Sequence, residues 1–226
     1  MNLSTSIDHV EPVEVAAGRA TLRGDLGLPD GATGIVLFAH GSGSGRLSPR
    51  NRFVAEQLRA AGLGTLLIDL LTEREEAVDA RTGHLRFDIV FLADRLDGAI
   101  DWLAADPRTR GLRVGLFGAS TGGGAAIVAS ARQPDRVAAV VSRGGRPDLA
   151  GDALPRVRCP VRLIVGGDDD VVIQLNENAL ARLGSHTKEM IIVPGAGHLF
   201  EEPGKLEEVA RLAAEWFTHY VHPPVL

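Results

Sequence analysis

The apolar positions of this chain fall into short continuous runs, separated by longer stretches with a helical period. Ile35-Val36-Leu37-Phe38-Ala39, Thr65-Leu66-Leu67-Ile68, Val137-Ala138-Ala139-Val140-Val141, Val161-Arg162-Leu163-Ile164-Val165 and Met190-Ile191-Ile192-Val193 are apolar almost throughout. Runs of this length, bounded by glycine or polar residues, predict strands buried on both faces. Leu112-Arg113-Val114-Gly115-Leu116-Phe117 predicts another. Two leading segments, Val13-Glu14-Val15 and Ala20 to Leu26, alternate instead and predict antiparallel strands turning near Gly18. A helix is predicted over about 50–61, with Phe53, Val54, Leu58 and Ala61 on one face and a stop at Gly62. Further helices are predicted over about 88–104, after residue 122, over about 173–183 and over about 205–220. The acidic stretch holding Glu73, Glu75 and Glu76 reads as a loop.

Alternating strand and helix predicts an α/β fold, with a mostly parallel central sheet of about eight strands and helices on both faces. The chain of 226 residues reads as one domain, 1–226, with a single sizeable core. Too few residues lie between Val141 and Val161 for a large helical cap, so an open, minimal domain is expected. A hydrophobic fraction of 45% and a charged fraction of 23% fit a globular protein. A net charge of −5 and a pI near 5.8 argue against a nucleic-acid partner. No apolar run approaches a membrane span, and Met1 to Asp8 lack the basic and apolar regions of a signal peptide. The lone Cys159 forbids an internal disulfide, so a cytoplasmic location is expected. Its place in Arg158-Cys159-Pro160, just before a strand, reads as a small buried residue rather than a reactive thiol.

The candidate chemistry centres on Gly118-Ala119-Ser120-Thr121-Gly122. This Gly-x-Ser-x-Gly follows a predicted strand, and Gly123-Gly124-Ala125-Ala126-Ile127 opens a predicted helix. Strand, sharp turn and helix form the setting in which such a serine acts as a nucleophile, and its glycine neighbours permit the tight backbone. A serine hydroxyl needs a base, and the base needs a partner that fixes its tautomer. Among seven histidines, His198 is the best base: it follows a strand in Pro194-Gly195-Ala196-Gly197-His198 and lies after Ser120 in the chain. His40 precedes a glycine-rich loop and reads as its brace. His9, His84 and His186 have no supporting pattern, and His219 and His222 lack the further ligands of a metal site. The acid should follow Val165, where Asp168, Asp169 and Asp170 are equivalent by chemistry alone. For the oxyanion, one donor is the N–H of Thr121; the other is expected from His40-Gly41-Ser42-Gly43-Ser44-Gly45, with Ser42 first and Gly43 second. Arg46 and Arg50 follow this glycine-rich loop, and Arg143 and Arg146 follow a strand's carboxyl end. They could hold a substrate carboxylate or phosphate, or could pair with acids such as Asp148.

Taken together, His40-Gly41, the Ser120 turn and Gly195-Ala196-Gly197-His198 resemble the α/β-hydrolase superfamily over nearly the whole chain. Within it the chain is similar to the small, lidless dienelactone-hydrolase-like group. The family's Gly-x-x-Asp-x-x-Val motif aligns with Gly166, Asp169 and Val172, which implies Asp169 as the acid. True dienelactone hydrolases carry a cysteine nucleophile, whereas position 120 is serine, so the resemblance implies ordinary ester hydrolysis instead. The resulting expectation is a carboxylesterase-like serine hydrolase of small, accessible esters, including anionic ones, with no cofactor and no metal. Thioester hydrolysis or acyl transfer on the same residues is the enzymatic alternative, and a non-catalytic binding protein of this fold is another. A nucleotide-binding reading of Gly41 to Gly45 with Asp69 fails on spacing, because position 46 is arginine where glycine is needed. The pattern carries no signal for oligomeric state.

Overall fold

The computed structural model describes residues 10–221. Strands β1 (Val10–Ala17) and β2 (Ala20–Gly27) lead into β3 (Ile35–Ala39), helix α1 (Pro49–Ala60), β4 (Gly64–Ile68), α2 (Glu73–Thr82) and α3 (Ile89–Ala105). Then come β5 (Val114–Ala119), α4 (Thr121–Arg132), β6 (Val137–Arg143), β7 (Val161–Gly166), α5 (Asp170–Arg182), β8 (Lys188–Val193) and α6 (Lys205–Tyr220). Short 3-10 segments cover Leu85–Phe87 and Pro147–Arg156. The strands form one sheet in the order β1-β2-β4-β3-β5-β6-β7-β8. The β1/β2 and β2/β4 pairs are antiparallel and the others parallel.

The central strands β3 to β7 are buried throughout because each has a helical layer on either side. On one face Leu37, Leu66, Leu116 and Val140 pack with residues of α3, α4 and α5. On the other, Phe38, Leu67, Phe117 and Val141 pack with Val54 and Leu58 of α1 and Trp216 and Phe217 of α6. Gly115 lets α6 approach: a Cβ there would lie 2.7 Å from the Phe217 ring. Cys159 is buried, and desolvation pushes its thiol up to about 11, so it stays protonated and unreactive at neutral pH. Between β6 and β7 the chain holds only the 3-10 segment Pro147–Arg156, so no large cap stands over this end of the sheet. Among the described residues no helix is long and apolar enough to cross a membrane.

Several sequence expectations need correction. Residues 73–82 form helix α2 rather than an acidic loop. Its start is a capping box, in which Thr72 Oγ1 accepts from Glu75 N–H and Glu75 accepts from Thr72 N–H at 2.7 Å. The helix has no apolar stripe to reveal it; its one buried residue is Asp79. Asp79 accepts from the Leu85 and Arg86 backbone and from Arg86 Nε. Burial alone would raise the Asp79 carboxyl, but the Arg86 bond and these N–H groups hold it below the usual carboxylate range. In α1 the buried positions are Asn51, Val54, Ala55 and Leu58; Ala61 is the exposed C-cap and Phe53 is half-buried. Helix α5 begins at Asp170, three residues before Ile173, because Asp169 is its N-cap. Strand β5 begins at Val114, two residues after Leu112.

Phe38 and Phe117 lie side by side under the loops at the end of the sheet, with ring centroids 4.9 Å apart, and both are fully buried. Phe117→Ala is expected to cost about 3–5 kcal/mol and to lower Tm by roughly 10 °C, read by thermal unfolding. A Tm within about 2 °C of wild type would contradict this account of the core.

Candidate active site

Strand β5 ends at Ala119, and α4 begins two residues later at Thr121. The one residue between them, Ser120, has φ 50° and ψ −122°. Such a conformation costs an L-residue about 1–3 kcal/mol and persists only where its surroundings enforce it. The enforcement is close backbone packing. A Cβ on Gly118 would lie 2.5 Å from Gly122 O, and one on Gly122 would lie 2.2 Å from Ala39 O. A Cβ on Gly41 would sit 3.0 Å from Ser120 Cβ. The Ser120 carbonyl accepts from the N–H groups of Gly123 and Arg146, both at 3.0 Å. Thr121, as the first residue of α4, has a backbone N–H with no intrahelical acceptor, at the positive end of the helix dipole.

The loop after β3 is stapled from beneath. Ser44 N–H donates to Gly41 O at 3.2 Å, closing a turn with Gly43 at φ 70°. Asp69 Oδ1 accepts from Arg46 N–H at 2.7 Å, and the Arg46 side chain pairs with Asp25 and Asp69. Asp69, the acid of the nucleotide-binding reading, is thus engaged in holding this loop. His40 braces the same loop from inside. Its Nε2 accepts from Leu70 N–H at 3.0 Å, so its Nδ1 must be the protonated nitrogen, and it donates to Gly41 O at 2.9 Å. Burial lowers the His40 pKa from its ordinary 6.5, outweighing the Gly41 bond and the charges of Asp69 and Glu76.

Across the sheet, the loops after β7 and β8 are stitched together. Gly167 N–H donates to Val193 O at 2.8 Å and Asp168 N–H to Ala196 O at 2.9 Å. Gly166 permits this, since a Cβ there would lie 2.4 Å from Ala196 O. Of the three aspartates, Asp168 and Asp170 are exposed, while Asp169 Oδ2 lies 2.7 Å from His198 Nδ1. That contact makes Nδ1 the protonated nitrogen and leaves Nε2 with its lone pair. Beyond His198, Phe200 is buried at φ 58° and Gly197 N–H donates to Glu202 at 3.0 Å, which fixes the loop.

Ser120 and His198 open onto one cavity of about 200 Å³, together with Ser42, Arg50, Asn51 and Arg143. The sequence-predicted arginines are sorted by this cavity. Arg146 lies outside it and forms a two-bond pair with Asp148, both bonds at 2.8 Å. Arg46 is held by Asp25 and Asp69. Arg50 lines the cavity and pairs with Glu201 at 2.6 Å. Arg143 is 6% exposed; its Nη2 donates to Asn51 Oδ1 at 3.3 Å and its Nε has no partner. Among the described residues no carboxylate pairs with it. Burial first, and then the charge of Arg50, bring the Arg143 guanidinium down to about 10, so it remains charged at neutral pH. Sequence reasoning missed Asn51. Its signal was a polar residue one turn before Val54 and Ala55 on the buried stripe of α1. His84 bonds to Thr82 and His219 stacks against Tyr220; His9 and His222 lie outside the described residues.

An eight-stranded, mostly parallel sheet with this turn and no large cap defines an α/β-hydrolase-fold protein. Residues 22–221 match the Dienelactone hydrolase family, and the chain belongs to that family. It is 62% identical to a dienelactone hydrolase from Anabaena variabilis, over 95% of this chain and 99% of that one, with a TM-score of 0.93. An esterase of Pyrococcus furiosus shares the fold at 17% identity and a TM-score of 0.75, over 94% of this chain and 92% of that one. A protein of Mycobacterium tuberculosis, provisionally named a phosphoribosyl transferase, is 54% identical over 214 residues. That match covers 95% of this chain and 47% of the relative, so the chain spans about half the length of the curated relatives it matches.

The His40 brace has a pH signature. Below 6.5 the unfolded chain takes up a proton that the buried ring refuses, so this contribution to stability is full above 6.5 and is lost as the pH falls. Urea unfolding at about pH 7.5 and 5.5 should show wild type losing more stability over that interval than His40→Gln. Equal losses in the two proteins would contradict the assignment.

Proposed function

We propose that this protein is a serine hydrolase of small carboxylic esters, with a preference for acyl groups that carry a negative charge. The observation that carries the reading is the 2.7 Å contact between Asp169 and His198, opening onto the same cavity as Ser120 at its left-handed turn. Ser120 Oγ attacks the ester carbonyl carbon as its proton passes to His198 Nε2. Asp169 holds the ring and balances the imidazolium. The N–H groups of Ser42 and Thr121 stabilise the oxyanion, each by about 3 kcal/mol. Collapse expels the alcohol, which takes its proton from His198, and leaves an acyl group on Ser120. Water then attacks that acyl group, with His198 again as base, and releases the carboxylic acid. The His198 side chain is 39% exposed, so water reaches the acyl-enzyme, which favours hydrolysis over transfer to another acceptor.

The preference for anions is supported by Arg143, a buried guanidinium with no carboxylate of its own, and by Arg50 beside it. The transferase name belongs to relatives of about twice the length and is not carried to this chain.

Ser120→Ala should lower kcat for a p-nitrophenyl ester at least about a thousandfold while leaving the fold intact by circular dichroism. A folded variant with wild-type turnover would end the reading. Arg143→Ala should raise KM for an anionic ester about tenfold or more and change it little for a neutral one. Arg146→Ala should leave the ratio of the two unchanged. A rise in KM common to both esters in Arg143→Ala would contradict the role given to that arginine.

A further inference from the structure

The two cavity arginines differ in their partners: Arg50 has a carboxylate and, among the described residues, Arg143 has none. Arg50 Nη1 donates to Glu201 Oε1 at 2.6 Å. Glu201 lies three residues beyond His198, on the loop that carries it, and its side chain is 61% exposed against 31% for Arg50. Two guanidinium groups line the cavity; Glu201 pairs with that of Arg50, Asp169 pairs with His198, and Arg143 alone is left without a carboxylate. These charges act on one another, since Arg50 is among the causes that depress the Arg143 guanidinium. A singly charged acyl group placed against Arg143 supplies the carboxylate that this guanidinium lacks. A doubly charged one leaves an unbalanced negative charge beside Glu201, in about 200 Å³ of space partly shielded from water. The dianion is therefore disfavoured while Glu201 holds Arg50.

We propose that Glu201 sets the charge selectivity of this cavity, admitting monoanionic acyl groups and disfavouring dianionic ones by holding Arg50. The proposal rests on the ester-hydrolase reading above and deepens it. Glu201 touches neither the reacting carbonyl nor Ser120 in this account; it acts through Arg50.

The test is hydrolysis of three methyl esters of similar chain length, followed by titration of the released acid. Methyl butanoate is neutral, monomethyl succinate carries one charge, and methyl 3-phosphonopropanoate carries two once its phosphonate is fully ionised. Wild type is expected to favour the succinate ester over the phosphonate in kcat/KM. Glu201→Gln is expected to raise the phosphonate-to-succinate ratio of kcat/KM about tenfold, mainly through KM. An equal fall for all three esters would overturn the proposal, because Glu201 would then only brace the His198 loop. An unchanged ratio, or a wild type that already prefers the dianion, would overturn it as well. Equal KM values for the neutral and singly charged esters in wild type would remove the arginine subsite and the proposal with it. No turnover of any ester by folded wild type would overturn the hydrolase reading itself, an outcome distinct from the others.

Discussion

Everything at the carboxyl end of this sheet depends on the one-residue turn between β5 and α4. Ser120 occupies a backbone region that costs about 1–3 kcal/mol, and it stays there because β5, β3 and α4 meet too closely for any alternative. Gly118, Gly122 and Gly41 are the points of contact; the first two lack room for a Cβ, and at Gly41 one would fit only tightly. The same closeness sets the first N–H of α4 beside the serine and brings the loop after β3 alongside. A relaxed turn would move the candidate nucleophile and the candidate oxyanion donors together.

Strand order distributes the remaining chemistry. From β3 across β5, β6, β7 and β8, successive carboxyl ends carry the Ser42 loop, Ser120, Arg143, Asp169 and His198. Ser120 and Arg143 sit at the strand ends themselves, whereas Ser42, Asp169 and His198 stand on the short loops that follow β3, β7 and β8. The loops are then held by polar staples: His40 between Gly41 and Leu70, Asp69 on Arg46, and Glu202 on Gly197. Arg143 is the exception, a charge drawn into the protein with an amide oxygen and the face of the Phe200 ring to meet it, and no carboxylate among the described residues. A buried cation left in that state is costly, and a substrate anion is the partner that would offset the cost.

Much of this was legible in the sequence because the strongest signals were local. Continuous apolar runs marked the central strands, and glycines around Ser120 marked the turn. Helix α2 was hidden because Asp79 is its only buried residue, so it has no apolar period; only the capping box announced it. The choice among Asp168, Asp169 and Asp170 could not be made from chemistry, since what separates them is a tertiary contact, the direction of His198. The arginines divide in the same way. Arg146 finds Asp148 two residues along the chain, whereas Arg143 meets Asn51 of α1 from 92 residues away. Glu201 meets Arg50 across 151 residues, a separation that no sequence pattern expresses.

The central claim is that this turn holds Ser120 as an activated nucleophile, and covalent labelling tests it most directly. Wild type and Ser120→Ala would be exposed to a fluorophosphonate and read by intact mass. The account predicts a single adduct on wild type and none on the variant. A folded wild type that takes no label, or a Ser120→Ala protein labelled as readily as wild type, would contradict it.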